Sequence, residues 1–229
     1  MRFRDLMIAG AVLALSAVSS ASAAAVGDAC FDSRSDPAAM IADCTAVIAA
    51  AGTTPADLAH AYENRGAALM SKGDVDGAIA DFSASIKLSP DHAAVFHNRG
   101  RAWERKGDLV RAIADFDQVV RFQPNAADAY FDRGALLAQK GDLDRAMADF
   151  DQAIRLNPDA AGVYASRGVV WGRKGDLDRA IADFDQAIRL QPNFAAAYVN
   201  RGVAWHKKGD LFRAQADFDK ARALGAGSH

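Results

Sequence analysis

The sequence predicts an all-α fold, a solenoid of antiparallel helix pairs, and three observations carry that prediction. Pro90, Pro124, Pro158 and Pro192 stand thirty-four residues apart, and Gly-Asp pairs beginning at Gly73, Gly107, Gly141, Gly175 and Gly209 keep the same step. Each period holds two short amphipathic helical patterns around a turn, as in "FDRGALLAQKGDLDRAMADFDQAIRLNP" at residues 131–158. Arginine also recurs in step, at Arg65, Arg99, Arg133, Arg167 and Arg201, where a helix of this kind would bury an aliphatic. A unit of this length buries its apolar face only by stacking on neighbours, so the period sets the architecture.

Taken in order, the chain opens with arginines at positions 2 and 4, an apolar run from Leu6 to Val18 and the small residues Ala21, Ser22 and Ala23. That layout reads as a cleaved signal peptide over 1–23, because the apolar run is shorter than the roughly 20 residues that span a bilayer. The expectation is an exported chain, periplasmic or secreted, with no membrane span after cleavage. Composition agrees with a folded domain: 229 residues, 51% hydrophobic, 24% charged and a formal net charge of -2. Nothing in that balance attracts nucleic acid.

Residues 24–58 form the next unit. Its two cysteines, Cys30 and Cys44, are the chain's only ones, and two thiolates without clustered histidines cannot complete a zinc shell, so a disulfide is expected in an oxidising compartment. "MIADCTAVI" at 40–48 aligns with "AIADFSASI" at 78–86, which puts Cys44 in a phenylalanine slot and makes the segment an N-terminal half-repeat. The stretch 50–57 is then expected to be its loop to the first full repeat.

Five registers follow, at 59–92, 93–126, 127–160, 161–194 and 195–229. Each carries an aromatic at its fourth position (Tyr62, Phe96, Tyr130, Tyr164, Tyr198), glycine at the eighth (Gly66, Gly100, Gly134, Gly168, Gly202), alanine at the twentieth and phenylalanine at the twenty-fourth. Glycine within a helix costs about 1 kcal/mol relative to alanine, so five at one phase require close approach of the second helix. The Lys-Gly-Asp turn ends one helix and caps the next: lysine favours the negative helix end, glycine takes the left-handed cap and aspartate accepts from the following backbone. Those termini also explain the row of lysines without any nucleic-acid track.

With these residues in place the sequence resembles the tetratricopeptide repeat family over Ala59 to the C-terminus, in its variety with Asn-Arg-Gly at positions six to eight. The resemblance implies a right-handed superhelical solenoid of antiparallel helix pairs. The arginines depart from the aliphatic common at the seventh position, yet each repeat with that arginine also has aspartate at its twenty-third: Asp81, Asp115, Asp149, Asp183 and Asp217. An ion-pair ladder along the stack is expected, within each hairpin or across to the next, because a partly buried guanidinium needs a carboxylate. In the last repeat Gln215 and Arg222 replace the apolar residues of earlier repeats, which reads as a terminal cap followed by a loose tail.

No nucleophile, acid-base pair or metal set converges, so no enzyme and no cofactor is expected. The histidines are not spaced as a metal-binding pair. Trp103, Trp171 and Trp205 share a repeat position with Leu69 and Leu137, a core slot. What remains is the surface. The resemblance implies that first helices line a concave groove through repeat positions 2, 5, 9, 12 and 13. Carried over, these are His97, Arg101, Glu104 and Arg105 in the second repeat, and Phe131, Ala135, Ala138, Ala165, Val169, Val199 and Val203 beyond it, bordered by Arg173, His206 and Lys207. The plainer reading is that the small residues let first helices pack. The functional reading is an exported, non-enzymatic interaction scaffold, monomeric or weakly oligomeric, whose groove takes a protein or peptide with apolar and acidic features. The alternative is a self-associating structural component of the cell envelope.

Overall fold

The computed structural model describes residues 28–32 and 36–225; the expected signal peptide at 1–23 and the last tail residues, 226–229, lie outside that range. The described chain is entirely helical: α1 (Asp28–Phe31), α2 (Pro37–Ala49), α3 (Pro55–Lys72), α4 (Val75–Leu88), α5 (Ala93–Lys106), α6 (Leu109–Phe122), α7 (Ala127–Lys140), α8 (Leu143–Leu156), α9 (Ala161–Arg173), α10 (Leu177–Leu190), α11 (Ala195–Lys207) and α12 (Leu211–Ala223). Each helix packs on the next, α3 with α4 through α11 with α12 as five hairpins. First helices of adjacent repeats also meet at three of four junctions, α3 with α5, α7 with α9 and α9 with α11, whereas no pair of second helices comes as close. The first helices therefore lie on the inner side of the stack.

The turns form as their chemistry dictates. Gly73, Gly107, Gly141, Gly175 and Gly209 all have φ between 83° and 95°, the left-handed region where only glycine escapes a Cβ penalty. The following aspartate then accepts from the backbone three residues on, as Asp108 does from Arg111 N at 3.0 Å. One boundary differs from the expectation. Residues 55–57 are helical, not loop, because Thr54 accepts from Asp57 N at 3.1 Å and Pro55 is at the first turn, where its missing N–H costs nothing.

At the N-terminal end the expected disulfide joins Cys30 of α1 to Cys44 of α2, with Cα atoms 4.8 Å apart. Both cysteines are buried with Ala61 of α3, and Asn64 Nδ2 donates to the Cys30 carbonyl at 2.9 Å. The bridge thus pins a four-residue helix, too short to persist alone, onto the first full hairpin.

The glycine at the eighth position answers to a ring. A Cβ on Gly134 would stand 2.9 Å from Cε1 of Phe150 and 3.2 Å from Cβ of Asp149, and the other four repeats show the same collision with their own phenylalanine. Phe82, Phe116 and Phe150 are fully buried because the ring can lie on bare backbone. Gly134→Ala is expected to lower stability by about 1–3 kcal/mol, although alanine is the better helix former, because the ring must leave its place. Urea unfolding followed by helical circular dichroism measures this.

The arginine ladder is present in all five repeats. Arg133 Nε donates to Asp149 Oδ2 at 2.8 Å and its Nη2 to Oδ1 at 2.7 Å, a fork that matches the planar carboxylate. Arg65, Arg99, Arg167 and Arg201 make the same pair with Asp81, Asp115, Asp183 and Asp217. The remaining guanidinium nitrogen reaches back to the preceding repeat. Its acceptor is the twenty-fifth position and not the neighbouring aspartate of the twenty-third: Asp117 for Arg133, Asp151 for Arg167, Asp185 for Arg201, and the hydroxyls of Ser83 for Arg99 and Thr45 for Arg65. The hydrogen bond to its own aspartate raises the pKa of Arg65, Arg133, Arg167 and Arg201 above the free value, against the opposing effect of burial. Each guanidinium also lies over the aromatic ring one turn earlier, 5.6 Å from the Tyr130 centroid in the case of Arg133. Removing Arg133 leaves Asp149 buried without its partner and is expected to cost about 3 kcal/mol. Loss of Asp117, 43% exposed at its side chain, is expected to cost under about 1 kcal/mol. Double-mutant cycles of Arg133 with Asp149 and with Asp117 check both; additivity in the first cycle would remove the ladder.

Candidate functional site

The inner face is built by the first helices, whose other faces are spent on the core and the ladder. In its N-terminal half His97 and Arg101 are paired with carboxylates of the protein. His97 Nε2 lies 3.2 Å from Asp132 Oδ2, and its ring meets the buried Phe116 edge-on. Arg101 donates to the same carboxylate at 3.5 Å and pairs with Glu104 at 3.2 Å. Arg105 donates to the Met70 carbonyl at 3.0 Å, which also accepts from Gly73 N at 3.1 Å at the end of α3. These contacts bridge α5 to α7 and to α3, so His97, Arg101 and Arg105 are partly committed to joining repeats.

Farther along the face, the structure gathers four of the expected residues. Val169 and Arg173 of α9 and Val203 and Lys207 of α11 line one concavity of about 150 Å³, with Asn200 at its side and Leu177, Ala180 and Phe184 of α10 beneath. Val169 and Val203 are 40% and 42% exposed. Arg173 donates to the Ala138 carbonyl at 2.5 Å, repeating what Arg105 does one pair earlier. Lys207 is exposed and makes no ion pair among the described residues. Val199 is half-buried and outside this concavity, Ala135 is exposed, Ala138 half-buried and Ala165 buried.

Phe131 departs from the expectation of an exposed contact. It is half-buried, packed on the core, with its ring 6.1 Å from that of Phe150. The fifth repeat position holds Glu63, His97, Ala165 and Val199 in the other repeats, so the repeat pattern gave no signal of that contact. Phe131→Ala is accordingly expected to lower stability by about 1–3 kcal/mol, less than the 3–5 of a fully buried ring, and thermal melting shows it directly. The tryptophans differ in the opposite sense from a pure core slot. Leu137 is buried, but Trp103, Trp171 and Trp205 are half-buried and covered by Arg111, Arg179 and Arg213 at 4.6, 4.5 and 4.5 Å from the ring centroids.

Two groups were not singled out in the sequence. The sixth position holds Asn64, Asn98, Asp132, Ser166 and Asn200, and the acid at Asp132 was the visible signal for its pairing with His97. The other is Gly172 of the concavity. Among the described residues no three or more histidine, cysteine, aspartate or glutamate side chains gather as a metal centre, and no helix is long and apolar enough to cross a membrane.

A stack of helix pairs with an open inner face defines a helical-repeat solenoid. The particular family follows from sequence: residues 63–127 and 99–170 match the tetratricopeptide repeat, and residues 173–209 match the TPR repeat. The chain belongs to the tetratricopeptide repeat family, and its fold class is that of the family's solved members. The crystal structure of MamA is 28% identical, with 70% of this chain and 94% of that one covered at a TM-score of 0.67. MamA residues 41 to the end from Desulfovibrio magneticus RS-1 are 22% identical, covering 76% and 99% at 0.71. YrrB, described as a TPR protein with an unusual peptide-binding site, is 22% identical, covering 73% and 87% at 0.63. At 22% identity the latter two speak to the fold alone. No curated protein matches the chain.

Proposed function

We propose that this protein is an exported, non-enzymatic scaffold that binds a partner peptide or helix along its inner face. The observation that supports this most is a contrast between positions. Core and ladder positions repeat with little change, while the ninth position on the inner face runs Ala67, Arg101, Ala135, Val169 and Val203 and the thirteenth Ser71, Arg105, Gln139, Arg173 and Lys207. Stacking demands uniformity where repeats touch; variation on an open surface is what a heterogeneous ligand selects. Family membership supports protein or peptide binding, and the same fold carries a peptide-binding site in YrrB. The Cys30–Cys44 bridge favours an oxidising compartment, periplasmic or secreted.

A partner captured from the native envelope and then purified provides the test. Val203→Asp is expected to weaken its binding at least about tenfold with helical content unchanged, while Ala148→Lys on the outer helix α8 leaves binding intact. Equal affinity for both variants would move function off the inner face. The second reading, self-association as a structural component, draws on Leu211 and Phe212 of α12, which stay 62% and 86% exposed on the same helix as the exposed Gln215 and Arg222. Light scattering across a concentration series separates the two, since only that reading requires oligomers that Phe212→Asp dissolves.

A further inference from the structure

We infer that the concavity between α9 and α11 is the anchoring subsite of the groove, and that its occupant is a peptide segment in which a bulky apolar side chain lies within a residue or two of a carboxylate. The inference rests on the inner-face reading above and narrows it to two repeats and one kind of ligand.

Space is the first ground. The concavity is about 150 Å³ and floored by Leu177, Ala180 and Phe184, and an apolar space of that order accepts a group the size of benzene. Gly172 makes this room. It lies in the last turn of α9, yet its φ is not positive and the left-handed cap role falls to Gly175. A Cβ there would meet nothing closer than Ala180 Cβ at 4.0 Å. Neither backbone conformation nor packing calls for glycine, unlike Gly134 or Gly168, and the same repeat position holds Met70, Glu104, Ala138 and His206 elsewhere. Any of the larger ones would project into the space that the valines border.

Charge is the second ground. Neither α9 nor α11 contains an aspartate or glutamate, whereas α3, α5 and α7 each contain at least one. The rim is cationic. Arg173 uses one nitrogen on the Ala138 carbonyl, and Lys207 is left without an ion-pair partner among the described residues. In the N-terminal half His97 and Arg101 are matched by Asp132 and Arg101 again by Glu104, while Arg105 bonds the Met70 carbonyl and stands beside the acidic Glu104 of its own helix. An anionic ligand gains most at the α9–α11 end, where Arg173 and Lys207 border one concavity on helices that carry no carboxylate of their own. The adjacent apolar floor supplies the anchor, since a side chain leaving water for a fitted pocket dominates the energy of a small interface.

The test uses the full chain and random nonapeptides displayed on phage, followed by affinity measurements on the selected peptides as synthetic, amide-capped molecules. Expected is enrichment of an apolar residue with an acid within two positions, and losses of at least about tenfold in both Gly172→Leu, which fills the space, and Lys207→Glu, which reverses the rim. Lys207→Glu changes only an exposed side chain, so it keeps the test valid if Gly172→Leu perturbs folding, which helical content and melting report. Peptides that ignore both variants but are lost with Arg101→Glu would overturn the subsite and leave the inner-face reading standing. Peptides that ignore all three variants, or a selection that enriches nothing, would overturn both.

Discussion

The pair between the seventh-position arginine and the twenty-third-position aspartate is the constraint on which the rest of this structure depends. Its carboxylate is buried in every repeat, so the charge must be matched by a guanidinium in one geometry, and the fork-to-carboxylate match tolerates little rotation. That requirement fixes how the first helix of a hairpin sits on the second. The third nitrogen then reaches Asp117, Asp151 or Asp185 of the preceding repeat, or a hydroxyl at Ser83 and Thr45. One side chain thus sets both the hairpin and the step to the next hairpin. A purely apolar interface of the same area would be as stable but would leave the helices freer to slide, because burial is non-directional.

Around that fixed frame the remaining core is simple. Phenylalanine rings lie on the bare backbone of the eighth-position glycines, and alanines at the twentieth position are buried in all five repeats. Tyrosine or phenylalanine one turn before each arginine shields the guanidinium on a face the carboxylates leave open. The N-terminal end keeps to the same plan with different chemistry. Cys44 occupies the phenylalanine slot, and a disulfide to Cys30 supplies what a short helix lacks in buried area.

Because architecture is carried by the core, the ladder and the turns, the inner face is released from structural duty unevenly. At the second and third repeats Asp132 draws His97 and Arg101 into a bridge where the first helices are not otherwise in close contact. At the fourth and fifth repeats α9 and α11 touch directly, and Lys207 is exposed with no ion pair among the described residues. The groove is consequently a joint at one end and an open, cationic, apolar-floored surface at the other.

The period of thirty-four, the helix boundaries set by Gly-Asp turns, the phenylalanine and glycine core and the arginine-aspartate pairing were all determined by the sequence, because each depends on a residue type recurring in register. Repetition averages out local ambiguity in a way a single helix cannot. Tertiary structure alone decided which neighbour each of these side chains meets: that Phe131 leans on Phe150, that Asp132 gathers His97 and Arg101, and that the arginines reach the twenty-fifth position of the previous repeat. It also decided that Val169, Arg173, Val203 and Lys207 enclose one space, and that Arg105 and Arg173 each bond the end of the preceding first helix. Those outcomes follow from how helices are offset within a hairpin and between neighbouring hairpins, a distance in space that no spacing along the chain encodes.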